Sequence, residues 1–181
     1  LCADMNEAFS QSFTMKGVLY LMDGKTYRAV RKSSKNTAWE AVSVSGTAYV
    51  PTTTISAAPT GGGTSYEAVN LLTPKRINTF IGDGTATQFK VDATDLDETA
   101  VTAEVNGSAV TVSAVNRSTG LVTLAAAPAN GNGLANVSIA FAKTVSGYAD
   151  KINKCRFAGL YGGKNDTRVF LSGNPDEPDC D

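Results

Sequence analysis

Thr79-Phe80-Ile81-Gly82-Asp83-Gly84-Thr85-Ala86-Thr87-Gln88-Phe89-Lys90-Val91 opens the stretch that decides the fold, and Val137-Ser138-Ile139-Ala140-Phe141 closes it. Between them stand short alternating apolar runs: Val101/Ala103/Val105, Val110/Val112/Ala114 and Val122/Leu124. A period of two buries one face of each run and wets the other, the pattern of antiparallel strands. Gly82-Asp83-Gly84, Asn106-Gly107 and the segment from Asn116 to Gly120 break the runs. These residue types accept positive φ at little cost and so mark turns. Five or six strands at this spacing predict a small, Ig-like antiparallel β-sandwich over residues 77–144, with Val105, Val112, Val122, Leu124, Ile139 and Phe141 buried.

Outward from that stretch the chain stays β-rich. Val18-Leu19-Tyr20-Leu21-Met22 and Tyr27-Arg28-Ala29-Val30 flank Asp23-Gly24 and predict a hairpin; strands follow at Trp39 to Val44 and at Ala48-Tyr49-Val50. Residues 51–64 are rich in Thr, Ala, Pro and Gly and predict a loop that closes an N-terminal part, residues 1–76. The best helix candidate is short, Ser65 to Leu72. Over residues 145–181, Ile152, Cys155 to Ala158 and Arg168 to Ser172 predict strands, separated by the segment from Gly159 to Asp166.

An isolated hairpin is marginal in water, so the two end segments are expected to pack together. Val18, Tyr20 and Tyr27 would then be covered by Phe157, Val169 and Phe170. The expected fold class is all-β, with the sandwich carried between strands of a second β-rich body, for which a propeller-like arrangement is one form. Three beads in series is the rival layout.

Composition removes several function classes. The 181 residues carry a net charge of −1, and 18% of them are charged. The only adjacent basic pairs, Arg31-Lys32 and Lys75-Arg76, lie far apart in sequence, so no basic stripe for nucleic acid is present. No apolar run approaches the ~20 residues needed to cross a bilayer as a helix, and no membrane insertion is expected. The chain has no histidine, which excludes Ser-His and Cys-His pairs and the usual Cys/His zinc spacings. It opens on Leu1 and ends on Asp181 without a terminating pattern, which reads as a fragment or a processed product.

A few residues could still carry chemistry. Asp92, Asp95, Asp97 and Glu98 are hard oxygen ligands close enough in sequence to hold Ca²⁺, but the EF-hand spacing fails, and a solvated acidic loop is the preferred reading. The segment Gly61-Gly62-Gly63 lacks the strand and helix that a phosphate cradle needs. Cys2, Cys155 and Cys180 make an odd count and are read as free thiols, with a disulfide between two of them left open. Asn106, Asn116, Asn136 and Asn165 head Asn-x-Ser/Thr triplets, a pattern that arises readily by chance in turn-rich sequence. Trp39, Tyr66 and Tyr161 are candidates for stacking on sugar rings, against the plainer reading as packing aromatics. No catalytic, cofactor-binding or metal-ligating residue is assigned, and no cofactor is expected.

The order of the turn motifs carries a resemblance. Phe80-Ile81-Gly82-Asp83-Gly84-Thr85, Val105-Asn106-Gly107, Gly120-Leu121-Val122-Thr123-Leu124 and Ala127-Pro128-Ala129-Asn130-Gly131 resemble a β-sandwich module common in structural proteins of tailed phages. Tyr49-Val50-Pro51-Thr52, the segment from Tyr66 to Thr73, and Arg168 to Pro175 are similar to prophage virion proteins of Gram-positive bacteria. The resemblance implies a non-enzymatic virion or tail component, assembled in the bacterial cytoplasm, whose partners are other virion proteins or copies of itself. It transfers no catalytic residue. The competing expectation is a carbohydrate-binding or adhesin-type module that attaches to a host-surface glycan; an aligned row of exposed aromatics on one sheet would favour it.

Overall fold

A computed structural model describes residues 5–6, 9–35, 37–63, 72–162 and 168–178. The protein is all-β: helical segments are limited to one turn and one six-residue helix among the described residues. Backbone contacts divide the chain into two compact units, Tyr49–Val145 and a discontinuous unit made of Leu1–Ala48 with Ser146–Asp181.

The discontinuous unit starts with an antiparallel meander, β1 (Gln11–Met15), β2 (Val18–Met22), β3 (Tyr27–Lys32) and β4 (Trp39–Val42), paired in that order. Lys16 and Gly17, both at positive φ, make the tight β1–β2 turn. The turn between β2 and β3 is longer than the expected two-residue hairpin, because Met22 pairs with Tyr27 and leaves four residues in the loop. One sheet face stacks Phe13 on Tyr20 (ring centroids 5.0 Å apart), with Tyr27 5.8 Å further along. The expected strand from Trp39 to Val44 stops at Val42, and α1 (Val44–Thr47) follows. Ser43 starts that turn by accepting the Gly46 N–H, the usual alternative that a serine offers to a strand ladder. Residues 48–50, expected as a strand, lie outside any strand.

The Tyr49–Val145 unit is a two-sheet sandwich. Its strands are β5 (Thr52–Ile55), β6 (Lys75–Phe80), β7 (Gln88–Lys90), β8 (Thr102–Val105), β9 (Ser108–Val110), β10 (Val112–Asn116), β11 (Leu121–Leu124) and β12 (Val137–Ala142). A five-stranded sheet, β5-β6-β12-β8-β9, faces a three-stranded sheet, β10-β11-β7. Phe80, Ala103, Val137, Ile139 and Phe141 from the first meet Phe89, Val122 and Leu124 from the second in one buried core. Four of the six expected core residues are buried, and Val105 and Val112 pack half-buried against them.

Two features differ from the sequence-based expectation, and one turn agrees with it. Residues 51–64, read as a loop, contain β5, which pairs in parallel with β6 and buries Ile55. Three consecutive threonines ahead of an isoleucine favour extended backbone, and their position beside Pro and Gly masked that preference. The Val110/Val112/Ala114 run is not one strand. It changes sheets at Thr111, with β9 and β10 lying in opposite sheets and a register shift between Val112 and Ala114. Asn106 (φ 50°) and Gly107 (φ 75°) make the β8–β9 turn, as the dipeptide predicts.

The second piece of the discontinuous unit holds α2 (Tyr148–Asn153), β13 (Phe157–Tyr161) and β14 (Arg168–Ser172). Ile152, expected in a strand, is in α2, and Gly159 to Tyr161, expected as a separator, belong to β13. β13 and β14 form their own two-stranded ribbon. Its inner face packs Ala158, Val169 and Leu171 on the cluster of Phe13, Met22 and Cys155, joined by Tyr20 and Tyr27. The Ala158 N–H donates to the Gln11 side chain at 2.8 Å. The end segments therefore share a core but not a sheet, and Val169 is the covering residue while Phe157 and Phe170 point away from that core. The expected helix from Ser65 to Leu72 and residues Cys2, Tyr66, Asn165 and Cys180 lie outside the described residues, apart from Leu72 itself.

Candidate interaction surface

The β13–β14 ribbon places its side chains by simple alternation. Ala158 and Leu160 share a face with Leu171 and Val169, while Phe157, Gly159 and Tyr161 share the other with Ser172, Phe170 and Arg168. The second face is exposed: Phe157 is 57% accessible, Phe170 58% and Tyr161 64%. The Tyr161 and Phe170 rings meet edge to face, 6.0 Å apart, which fixes both without covering either. Phe157 lies over Gly173, where a Cβ would stand 2.5 Å from its ring, and Gly159 opposite Phe170 leaves open space. The result is a row of three aromatic rings on one narrow sheet. Leu160 is also exposed, but it stands on the opposite face, near the ribbon end. Exposed aromatic side chains grouped on one face make this ribbon a candidate surface for contact with another molecule.

Of the candidate stacking residues, Tyr161 belongs to this row. Trp39 is half-exposed on β4, with the Lys32 ammonium 5.9 Å from its ring centre. Sequence reading missed Phe157 and Phe170 as surface residues because it assigned both to the covering face. The signal was available in the alternation of Phe157-Ala158-Gly159-Leu160-Tyr161, where the small residues mark the two faces.

The acidic segment is not a ligand cluster. The Asp97 carboxylate accepts from the Thr144 N–H (2.9 Å) and hydroxyl (2.7 Å), and the Asp97 N–H donates to the Ala142 carbonyl. Glu98 pairs with Arg117 at 3.1 Å, and Lys143 donates to the Asp95 backbone carbonyl. Asp92 is buried and is held by the side chain of Asn78. No group of three His, Cys, Asp or Glu side chains among the described residues could hold a metal ion.

The remaining singled-out residues serve local structure. Asn136 receives the Gly82 N–H (2.8 Å) on its side-chain oxygen and gives its amide to the Ala129 carbonyl (2.8 Å), so it ties the Gly-Asp-Gly turn to the Ala-Pro segment. Asn116 accepts from Ser118 and Thr119 within its own turn. Asp83 caps its turn by accepting the Thr85 and Ala86 N–H groups, and those donors hold its carboxyl below the ordinary range. The Cys155 thiol donates to the Lys151 carbonyl, and burial pushes its pKa up. Burial likewise raises Tyr27, with Tyr20 adding to the effect.

On the sandwich, an open groove of about 350 Å³ runs along the outer face of the five-stranded sheet beside Val50, Pro74, Ile77, Ala140 and Ala142. It holds no converging set of polar groups to orient a ligand. No helix among the described residues is long and apolar enough to cross a membrane. Comparison with protein-family models, with curated proteins and with solved structures finds no match to this chain.

Proposed function

We propose that the chain is a non-enzymatic structural component of a tailed-phage or prophage virion, and that the Phe157/Tyr161/Phe170 face is its assembly contact. The observation that carries the reading is that face itself. Three aromatic rings held in a row, each more than half exposed, stand on a ribbon whose other side is already anchored in a core. Covering one such ring is worth about 1.5–3 kcal/mol before the costs of association. The ordered Gly-Asp-Gly, Val-Asn-Gly and Ala-Pro-x-x-Gly turns support the virion assignment through their resemblance to phage sandwich modules. The partner is another virion protein or a second copy of the chain.

The same row also supports a second reading, attachment to a host-surface glycan. Aromatic platforms stack on sugar rings, and Tyr161 supplies a polar tip. Two of the three rings are phenylalanines, which offer no polar group to a sugar hydroxyl, and this favours a protein partner. Immunogold labelling with an antibody to the chain, applied to purified phage particles from the source strain, tests the assignment. Labelled particles support it, and particles that stay bare while the protein is found elsewhere overturn it. A glycan array probed with the wild type and with Tyr161→Ala separates the second reading, since specific glycan binding lost in the variant would replace assembly with attachment.

A further inference from the structure

Asn78 lies on the core face of β6 and is fully buried, and Asp92, just past the end of β7, is only 4% exposed. The Asn78 side-chain oxygen accepts the Asp92 N–H at 2.8 Å, a bond that joins the five-stranded sheet to the chain leaving the three-stranded one. Two buried atoms of this pair stay unsatisfied among the described residues: the Asn78 amide nitrogen, a donor, and the Asp92 Oδ1, an acceptor. Leaving either unmade is costly, and more so where the group is charged. An orphan donor and an orphan acceptor on two directly bonded residues define a ligand by its chemistry. It must accept from the amide and donate to the carboxylate.

We propose that Asn78 and Asp92 bind one internal water molecule, which completes the latch between the two sheets. A cation is the wrong ligand. It would satisfy Asp92 alone and would face the positive end of the Asn78 N–H dipole. Ca²⁺ would further need about six to eight oxygens, whereas Asp97 is committed to Thr144 and Glu98 to Arg117. Gly63 packs beside the Asp92 side chain: a Cβ there would stand 3.5 Å from the Asp92 Cβ and 2.6 Å from the Ile55 side chain.

A high-resolution crystal structure of the whole chain, grown with and without calcium, tests this. The expected result is one ordered water within roughly 2.7–3.2 Å of both the Asn78 amide nitrogen and Asp92 Oδ1, unchanged by calcium. A direct amide-to-carboxylate bond, another side chain filling both roles, or an oxygen-coordinated ion at this point overturns the proposal. In solution, a calcium titration followed by thermal unfolding should leave Tm unmoved. A saturable rise in Tm that Asp92→Asn abolishes would identify a cation site instead.

Discussion

Gly120 lies so close to Ala93 that a Cβ built on it would stand 2.1 Å from the Ala93 carbonyl oxygen. The turn that ends in Gly120 thus presses its backbone on the segment after β7, where the Gly120 carbonyl also accepts the Val91 N–H at 2.9 Å. Gly120 is at φ 73°, so any side chain meets both backbone strain and a collision with main chain, which cannot swing aside. Gly107 shares the positive φ but has open space around it.

These two glycines make a paired prediction. Gly107→Ala should cost about 1 kcal/mol, the penalty of the left-handed region alone. Gly120→Ala should cost roughly 2–4 kcal/mol, because the Ala93 main chain must shift as well. Urea unfolding of both variants checks this, and equal losses would show that the turn can move away from Ala93.

Asp23 is expected to give the meander an acid-sensitive joint. Its buried carboxylate accepts the N–H groups of Asn6 (2.5 Å), Thr26 (2.5 Å) and Lys25 (2.9 Å). Burial works to raise its pKa, but these donors together outweigh burial and hold it below the ordinary aspartate value. A depressed folded-state pKa contributes stability that is present above the unfolded-state value and is lost as pH falls through the folded one. Asp23→Asn should therefore destabilise the protein near neutral pH and lose most of that penalty in acid, once the pH has fallen through the depressed folded-state pKa. Urea midpoints of wild type and variant across this range give the test; a pH-independent gap would mean that the carboxylate charge is not what the turn uses.

The sandwich was largely legible in the sequence, and particular residues show why. Val122, Leu124, Ile139 and Phe141 sit in strict alternation beside turn residues, so their register follows from the period alone. What could not be read is long-range. β5 was hidden because it gains its parallel partner from residues 25 positions away, and nothing local announces that pairing. Phe157 and Phe170 were assigned to a covered face because a large apolar side chain is ordinarily buried. Their exposure depends on which ribbon face meets Phe13 and Met22. Asp97 reads in sequence as part of a solvated acidic loop and is a strap in space, because its partner Thr144 is 47 residues away.

In the core, Phe141→Ala should cost about 3–5 kcal/mol and Val105→Ala clearly less, since the first side chain is buried and the second only packs against the cluster. Equal effects on the unfolding midpoint would mean that the end of β8 is more enclosed than the exposure of Val105 indicates.

The Cys155 thiol should be slow to react in the folded protein. Burial raises its pKa and its hydrogen goes to the Lys151 carbonyl, so little thiolate is available for attack. With Cys2 and Cys180 replaced by serine, a thiol reagent near neutral pH should modify the native chain at least ~10-fold more slowly than the urea-unfolded chain. Equal rates would place Cys155 in a part of the unit that opens readily.

The sandwich should need β5 in order to be stable. Ile55 is buried against the core, and β5 covers one side of β6 along four residue pairs, from Thr52–Ile77 to Ile55–Phe80. The loop after it adds a backbone bond from the Lys90 N–H to the Pro59 carbonyl at 2.8 Å, which covers the free side of β7. A fragment of residues 49–145 keeps these contacts. A fragment of residues 77–144 keeps every alternating strand that marked the sandwich in sequence, yet it loses β5, the start of β6 and the cover over β7. Loss of the buried Ile55 side chain alone removes about 1.5–3 kcal/mol, and an uncovered β6 edge invites pairing between copies. The shorter fragment should therefore unfold at lower urea and associate with increasing concentration, while the longer one unfolds cooperatively as a monomer. Matching urea midpoints for the two fragments would show that the sandwich core closes without β5 and that the unit effectively begins at β6.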